Sequence, residues 1–176
     1  MQTTVESSIS QRLLWRSLIA DIVLAGLASG PVAAPFLAAS GLPLLPLIAD
    51  IIYWMGMHVC PQPEMGIALM PPQIMAVCMR CYGTVTGLVV MRWLYRQELA
   101  RKESRCSRYW LHQYGVSGFA LTVLLCLVYP AELYAQNWGW WGYHNWVVFP
   151  FGLVSGLGLG AYIMPLLHRR TQPVDG

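Results

Sequence analysis

Residues 147–167, VVFPFGLVSGLGLGAYIMPLL, hold no charged side chain, and glycines at 152, 156 and 160 recur every fourth position. At 1.5 Å per residue, a helix of about 20 residues crosses roughly 30 Å of hydrocarbon. The stretch therefore reads as a membrane span. Working outward, residues 114–133 (YGVSGFALTVLLCLVYPAEL) and 73–95 (QIMAVCMRCYGTVTGLVVMRWLY) have the same length and character, and residues 13–38 add a fourth such segment, interrupted by Asp21, Pro31 and Pro35. Both prolines lack a backbone donor and disfavour a helical residue before them, which predicts a kink or break near residues 30–41. Residues 42–57, with Pro43, Pro46 and Asp50, are too short for a clear span and read as a re-entrant or membrane-edge helix. The predicted fold is all-α: one integral membrane bundle of four transmembrane helices plus that short helix.

Composition leads to the same class. The chain has 176 residues, 56% of them apolar and 11% charged, against about 25% charged in a soluble domain. So few charges cannot make a water-facing shell, and so much apolar sequence excludes a disordered chain. Net charge is only +3, and the basic residues gather at the ends of apolar segments, so a nucleic-acid partner is excluded; the lipid bilayer is the partner the composition requires. A cleaved leader is disfavoured, because Arg16 and Asp21 interrupt the first apolar stretch.

Loop charge predicts orientation. The loops at 58–72 and 136–146 contain no Lys or Arg, whereas the 96–108 connector, Arg12 with Arg16, and Arg169 with Arg170 are basic. The basic segments belong on the cytoplasmic side, with both termini, and the two uncharged loops outside. Trp138, Trp140, Trp141, Tyr143 and Trp146 then form an outer aromatic belt, and Trp93, Tyr95, Tyr109 and Trp110 an inner one. Gly152, Gly156 and Gly160, with Gly83 and Gly87 in the 73–95 segment, let helix backbones approach closely, most simply within the bundle.

One constellation carries chemistry. His58-Val59-Cys60 closes the short helix, and Cys78-Met79-Arg80-Cys81 opens the next span. Cys78 and Cys81 stand three apart and share a helix face, and the loop before them is long enough to return Cys60 to the same place. Cys60, Cys78, Cys81 and His58 would complete a tetrahedral zinc shell. A disulfide among the three cysteines, or unpaired structural thiols, stays open. Cys126, mid-span, reads as a small buried hydrophobe and Cys106 as a reduced cytoplasmic thiol. Arg80 is the lone charge deep in an apolar segment and must find an acceptor inside the bundle. Glu132, at the outer end of the 114–133 segment, fits on depth better than Asp50 or Glu64.

The residues Cys60-Pro61-Gln62 and Cys78-Met79-Arg80-Cys81-Tyr82-Gly83, with Glu132, Gln136, Asn145, Gly152 and Gly156 downstream, resemble the pattern of a family of small bacterial membrane proteins of unknown function. Its signature is Cys-His-Gln, then Cys-x-Arg-Cys-x-Gly. The resemblance covers about residues 45–160, and the form CPQPEMG…VCMRCYGT is similar to versions from oxygenic photosynthetic bacteria. It implies a bacterial plasma membrane or a thylakoid and, by resemblance only, a photosynthetic membrane complex as partner. It implies no reaction. The chain departs from the pattern at Pro61, where the family has His, and at Val148-Phe149, where an Arg is expected.

The residues favour a non-enzymatic protein: a scaffold, assembly factor or accessory subunit of a membrane complex. No catalytic triad, phosphate loop or zincin motif is present in the sequence. A membrane thiol–disulfide oxidoreductase is the alternative, weakened because Cys60 alone would have to relay electrons from Cys78 and Cys81. A small transporter lined by Asp21, Asp50, Arg80 and Glu132 comes third, since no internal repeat supports it. His112, His144 and His168 read as interface or capping residues.

The orientation has a direct check. A membrane-impermeant thiol label should reach Gln136→Cys from outside and Ser104→Cys only after permeabilisation; the opposite pattern would reverse the topology.

Overall fold

The computed structural model describes residues 2–100 and 110–168. Most of the 96–108 connector, with Lys102, Ser104 and Cys106, lies outside the described residues, as do Arg169, Arg170 and the side chain of Arg12. Five α-helices carry the architecture: α1 (Gln2–Ala38), α2 (Leu45–Val59), α3 (Met79–Ala100), α4 (Gly115–Asn137) and α5 (Asn145–Leu167). Between α2 and α3 lies a two-stranded antiparallel ribbon, β1 (Ala68–Met70) against β2 (Gln73–Ile74). Residues 73–78 are thus outside the helix expected to start at 73. They are held by other partners, the Met75 amide by Ile67 O at 2.8 Å and the Ala76 amide by Pro31 O at 3.3 Å.

That second bond explains how α1 tolerates its prolines. The helix continues through Pro31 and Pro35 and ends at Ala38, just before Gly41, which takes a positive φ of 69°. Pro35 has no N–H for the carbonyl four residues back, which belongs to Pro31, and the Ala76 amide satisfies that carbonyl instead. The sequence expectation of a break near residues 30–41 is therefore met only at its end, after both prolines.

Among the described residues, three helical segments are long and apolar enough to cross a membrane: Trp15–Ala38, Leu111–Asn137 and Asn145–Leu167. The helix α3 is not among them, because its 22 residues include Arg80, Arg92, Arg96 and Glu98. Large apolar side chains face outward along α1 and α4, among them Ile19, Ile22, Val116, Phe119, Leu124 and Leu127. An apolar exterior of this extent calls for lipid rather than water.

The bundle is built on the seam between α3 and α5. A Cβ at Gly152 would collide with Arg80 O, at Gly156 with Thr84 O and at Gly83 with Phe149 O; at Gly87 it would lie 2.7 Å from Leu153 O, and at Gly160 2.7 Å from Met91 Cβ. Glycines from both helices thus bring the two backbones together within one chain. Gly158, which the sequence pattern did not single out, does the same for α4, where Leu125 Cβ would lie 2.6 Å away. At one end of the seam Met91, Trp110, Ala161 and Met164 form an apolar core.

Substitution separates packed glycines from idle ones. Gly152→Ala should destabilise the folded protein by about 1–3 kcal/mol through overpacking. Gly26→Ala, with no atom near its new Cβ, should be neutral or stabilising by up to about 1 kcal/mol. Detergent unfolding midpoints read both.

Candidate functional site

Arg80 is the second residue of α3 and is completely buried, as is Glu132. Its Nε donates to Glu132 Oε2, its Nη1 to Gln62 Oε1 at 3.2 Å and its Nη2 to Gln136 Oε1 at 2.6 Å. The second carboxylate oxygen of Glu132 accepts from Trp141 Nε1 at 3.3 Å. Tyr129, Glu132 and Gln136 fall at i, i+3 and i+7 on α4 and so share a face, and the Arg80 Cζ lies 5.7 Å from the Tyr129 ring centre. A buried guanidinium left unpaired would carry a penalty of several kcal/mol; here all three of its nitrogens find acceptors, on two separate segments. Asp50 and Glu64, the other carboxylates considered from sequence, are exposed.

The cysteines meet beside this network. Cys60 caps α2 in an extended conformation, its amide on Gly56 O at 2.8 Å. Gly56 is what permits the approach, since a Cβ there would collide with Ala76 O in the strand-to-α3 connection. Cys78 precedes α3 and its amide donates to Cys60 Sγ at 3.3 Å. Cys81 Sγ lies 3.4 Å from Cys60 Sγ, 3.6 Å from Cys78 Sγ and 3.1 Å from Tyr129 Oη. All three sulfurs fall within 4.8 Å of one another, with Cys60 and Cys78 buried and Cys81 partly so. Hydrogen bonds from Cys78 and then Cys81 favour the Cys60 thiolate and hold its pKa far below the ordinary thiol value.

A soft, three-sulfur donor set has recognisable dimensions. Zinc–sulfur bonds of about 2.3 Å in a tetrahedron put sulfurs about 3.8 Å apart, close to the spacing here. A disulfide requires about 2.05 Å, so any pair would have to close by more than an ångström; Cys60, Cys78, Cys81 and Cys126 are all unbridged.

His58 is not part of this group. It is exposed on α2, its Nδ1 is 2.8 Å from Trp54 O, and its ring packs on Trp54 at 4.4 Å. The helix runs on to Val59, so a residue two before Cys60 points to nearly the opposite side. The sequence expectation that His58 joins the three cysteines is corrected by this geometry. The aromatic belt has further contacts: Trp138, Trp140, Trp141 and Trp146 are all exposed, but Trp141 also donates from Nε1 to Glu132, and Tyr143 Oη accepts the Met79 amide at 3.2 Å. Gln62, Gln136 and Tyr129 are the acceptors and aromatic face that charge pattern alone did not assign to Arg80; the i, i+3, i+7 spacing on α4 is the signal that points to the last two. Asn145 Oδ1 is buried without a partner among the described residues.

A second polar cluster ties the other end of the bundle. Asp21 of α1 accepts from Arg92 Nε and Nη2, both at 2.6 Å, and His168 Nε2 lies 3.8 Å from the same carboxylate. Ser17 Oγ and His168 Nδ1 are 2.6 Å apart. Burial, with the Arg92 charge behind it, pushes the His168 pKa down, against the pull of the Asp21 carboxylate.

Residues 65–162, more than half of the chain, match the family described as predicted membrane protein (DUF2085). The matched segment takes in Cys78, Arg80, Cys81, Glu132, Gln136 and Asn145, and begins just after Cys60 and Gln62. No curated protein and no solved structure matches the chain.

Arg80→Leu should lower stability by about 3–5 kcal/mol, by stranding a buried carboxylate. Arg80→Leu with Glu132→Gln should recover part of that loss. A double mutant no better than the single would mean that the two side chains are not energetically coupled, and equilibrium unfolding of the four proteins of the cycle measures this.

Proposed function

The chain belongs to the DUF2085 family of predicted membrane proteins, and we propose that this member is a non-enzymatic integral membrane protein whose Cys60, Cys78 and Cys81 thiolates hold one structural zinc ion at the outer membrane edge. In this reading α3 completes a four-span bundle, with Arg80 and Arg92 satisfied internally, and the protein serves as a scaffold or accessory subunit of a membrane complex. The observation that carries the metal is the convergence of three sulfurs from two chain segments within 4.8 Å. Three mutually close sulfurs suit one shared ion better than a disulfide, which would use two and leave the third. Tyr129 Oη, 3.1 Å from Cys81 Sγ, or a water would supply the fourth ligand. The ion would fasten the end of α2 to the start of α3, where Gln62 also reaches Arg80.

Metal analysis with thiol counting on the purified protein tests this. The expected result is about one zinc per chain, lost in Cys60→Ser, Cys78→Ser or Cys81→Ser and kept in Cys126→Ser. Thiols at 60, 78 and 81 should resist alkylation until a chelator is added. Absence of metal, with two thiols appearing only after reduction, would replace the ion by a disulfide and favour the oxidoreductase alternative.

A further inference from the structure

A cavity of about 790 Å³ lies between the α1/α2 pair and the α3–α5 bundle, with Gly26, Gly30, Ile52, Cys81, Tyr129 and Ser155 among its lining residues. That volume is within the range of small-molecule sites, which are mostly apolar with a few placed polar groups. The polar groups here differ in how they are occupied. The hydroxyls of Ser29 and Thr84 donate to carbonyls of their own helices, Ala25 O and Arg80 O. The hydroxyl of Tyr129 is paired with Cys81. Ser155 is only 6% exposed, and its hydroxyl makes no hydrogen bond among the described residues. Its oxygen opens to the cavity rather than being sealed in protein, and a hydroxyl facing an apolar space with no acceptor is unfavourable, so Ser155 calls for a hydrogen-bonding group inside the cavity.

Depth limits what that group can be. Ser155 lies near the middle of α5 (Asn145–Leu167), roughly 15 Å along the helix from its start. The ester carbonyls of bilayer lipids are tied to headgroups at the interface and do not reach the middle of the hydrocarbon. The partner must then be a lipid-soluble molecule without a polar headgroup, with an acceptor on an otherwise apolar body. We propose that this cavity binds a carbonyl-bearing ring with an apolar tail, of the alkylated quinone class, with Ser155 donating to a ring carbonyl and the tail lying along Gly26 and Gly30 of α1. Access from the bilayer core suits the arrangement, since α4 packs on α5 and contacts α1 and α2 hardly at all. The proposal is separate from the zinc reading and requires no electron transfer.

The test uses the full chain in detergent with decylubiquinone, a fully substituted benzoquinone that does not add to thiols, and monoolein, an ester attached to a polar headgroup, as comparator. The unfolding midpoint is followed against each compound. Decylubiquinone should raise the midpoint saturably, and monoolein should not. Gly26→Phe, whose new Cβ meets no atom within 4 Å, should fill the space and abolish the shift. Ser155→Ala, which removes no existing hydrogen bond from the hydroxyl, should weaken binding about three- to tenfold. The metal content of each wild-type sample is measured alongside, and a saturable decylubiquinone shift is expected whatever that content is, so a failure of the metal reading leaves this result intact. No shift with decylubiquinone, an equal shift in Gly26→Phe, unchanged affinity in Ser155→Ala, or an equal response to monoolein would each overturn the proposal.

Discussion

A guanidinium buried to 0% exposure is the constraint from which much of this arrangement follows. Arg80 cannot stay charged in an apolar interior without acceptors, and its own helix has none to spare, because helical carbonyls are taken by the ladder. The acceptors come from elsewhere: Glu132 and Gln136 from α4, and Gln62 from the segment after α2. Each of these contacts fixes a chain segment relative to α3. The helix α3 is itself held on α5 by glycines, with Gly152 lying directly against the Arg80 carbonyl. A single buried charge thereby gathers α2, α3, α4 and α5 at one end of the bundle.

The cysteines follow from the same placement. Cys78 and Cys81 flank Arg80 by two positions and one, and Cys60 stands two before Gln62. Any fold that brings Gln62 to the guanidinium also brings Cys60 close to the start of α3. Ion pair and sulfur cluster are neighbouring parts of one polar knot, with Tyr129 touching both. The opposite end has its own tie, Asp21 to Arg92 with His168 beside it. With α1 fastened there and α2 fastened near Cys60, the space left between the pair and the bundle becomes the apolar cavity.

Helices and their apolar character were legible in sequence because lipid imposes length and uncharged runs: residues 147–167 are uncharged throughout, and residues 114–133 hold only Glu132, near their end. The start of α3 was not legible. Residues 73–78 are as apolar as those that follow, and only their bonds to Ile67 and Pro31 keep them out of the helix. The course of α1 through Pro31 and Pro35 was hidden for the same reason, since the compensating donor is Ala76, some forty residues away. Glu132 could be chosen as the partner of Arg80 on depth, and Cys78 with Cys81 on spacing. His58 was misplaced because nearness in sequence to Cys60 says nothing about helix phase, and α2 keeps that phase until Val59. Trp141 and Tyr143 read as belt residues from composition; Trp141 stays exposed while its Nε1 reaches Glu132, and Tyr143 takes the Met79 amide, contacts that only the folded chain creates.

The central claim is that Cys60, Cys78 and Cys81 act together on one ion beside the Arg80 pair. Zinc K-edge X-ray absorption on the purified, unmutated protein tests it most directly, because the fine structure counts and ranges the ligands. The account predicts three sulfurs at about 2.3 Å and one lighter atom, nitrogen or oxygen, at about 2.0–2.2 Å. A zinc-free sample, or a shell made only of nitrogen and oxygen, would contradict it.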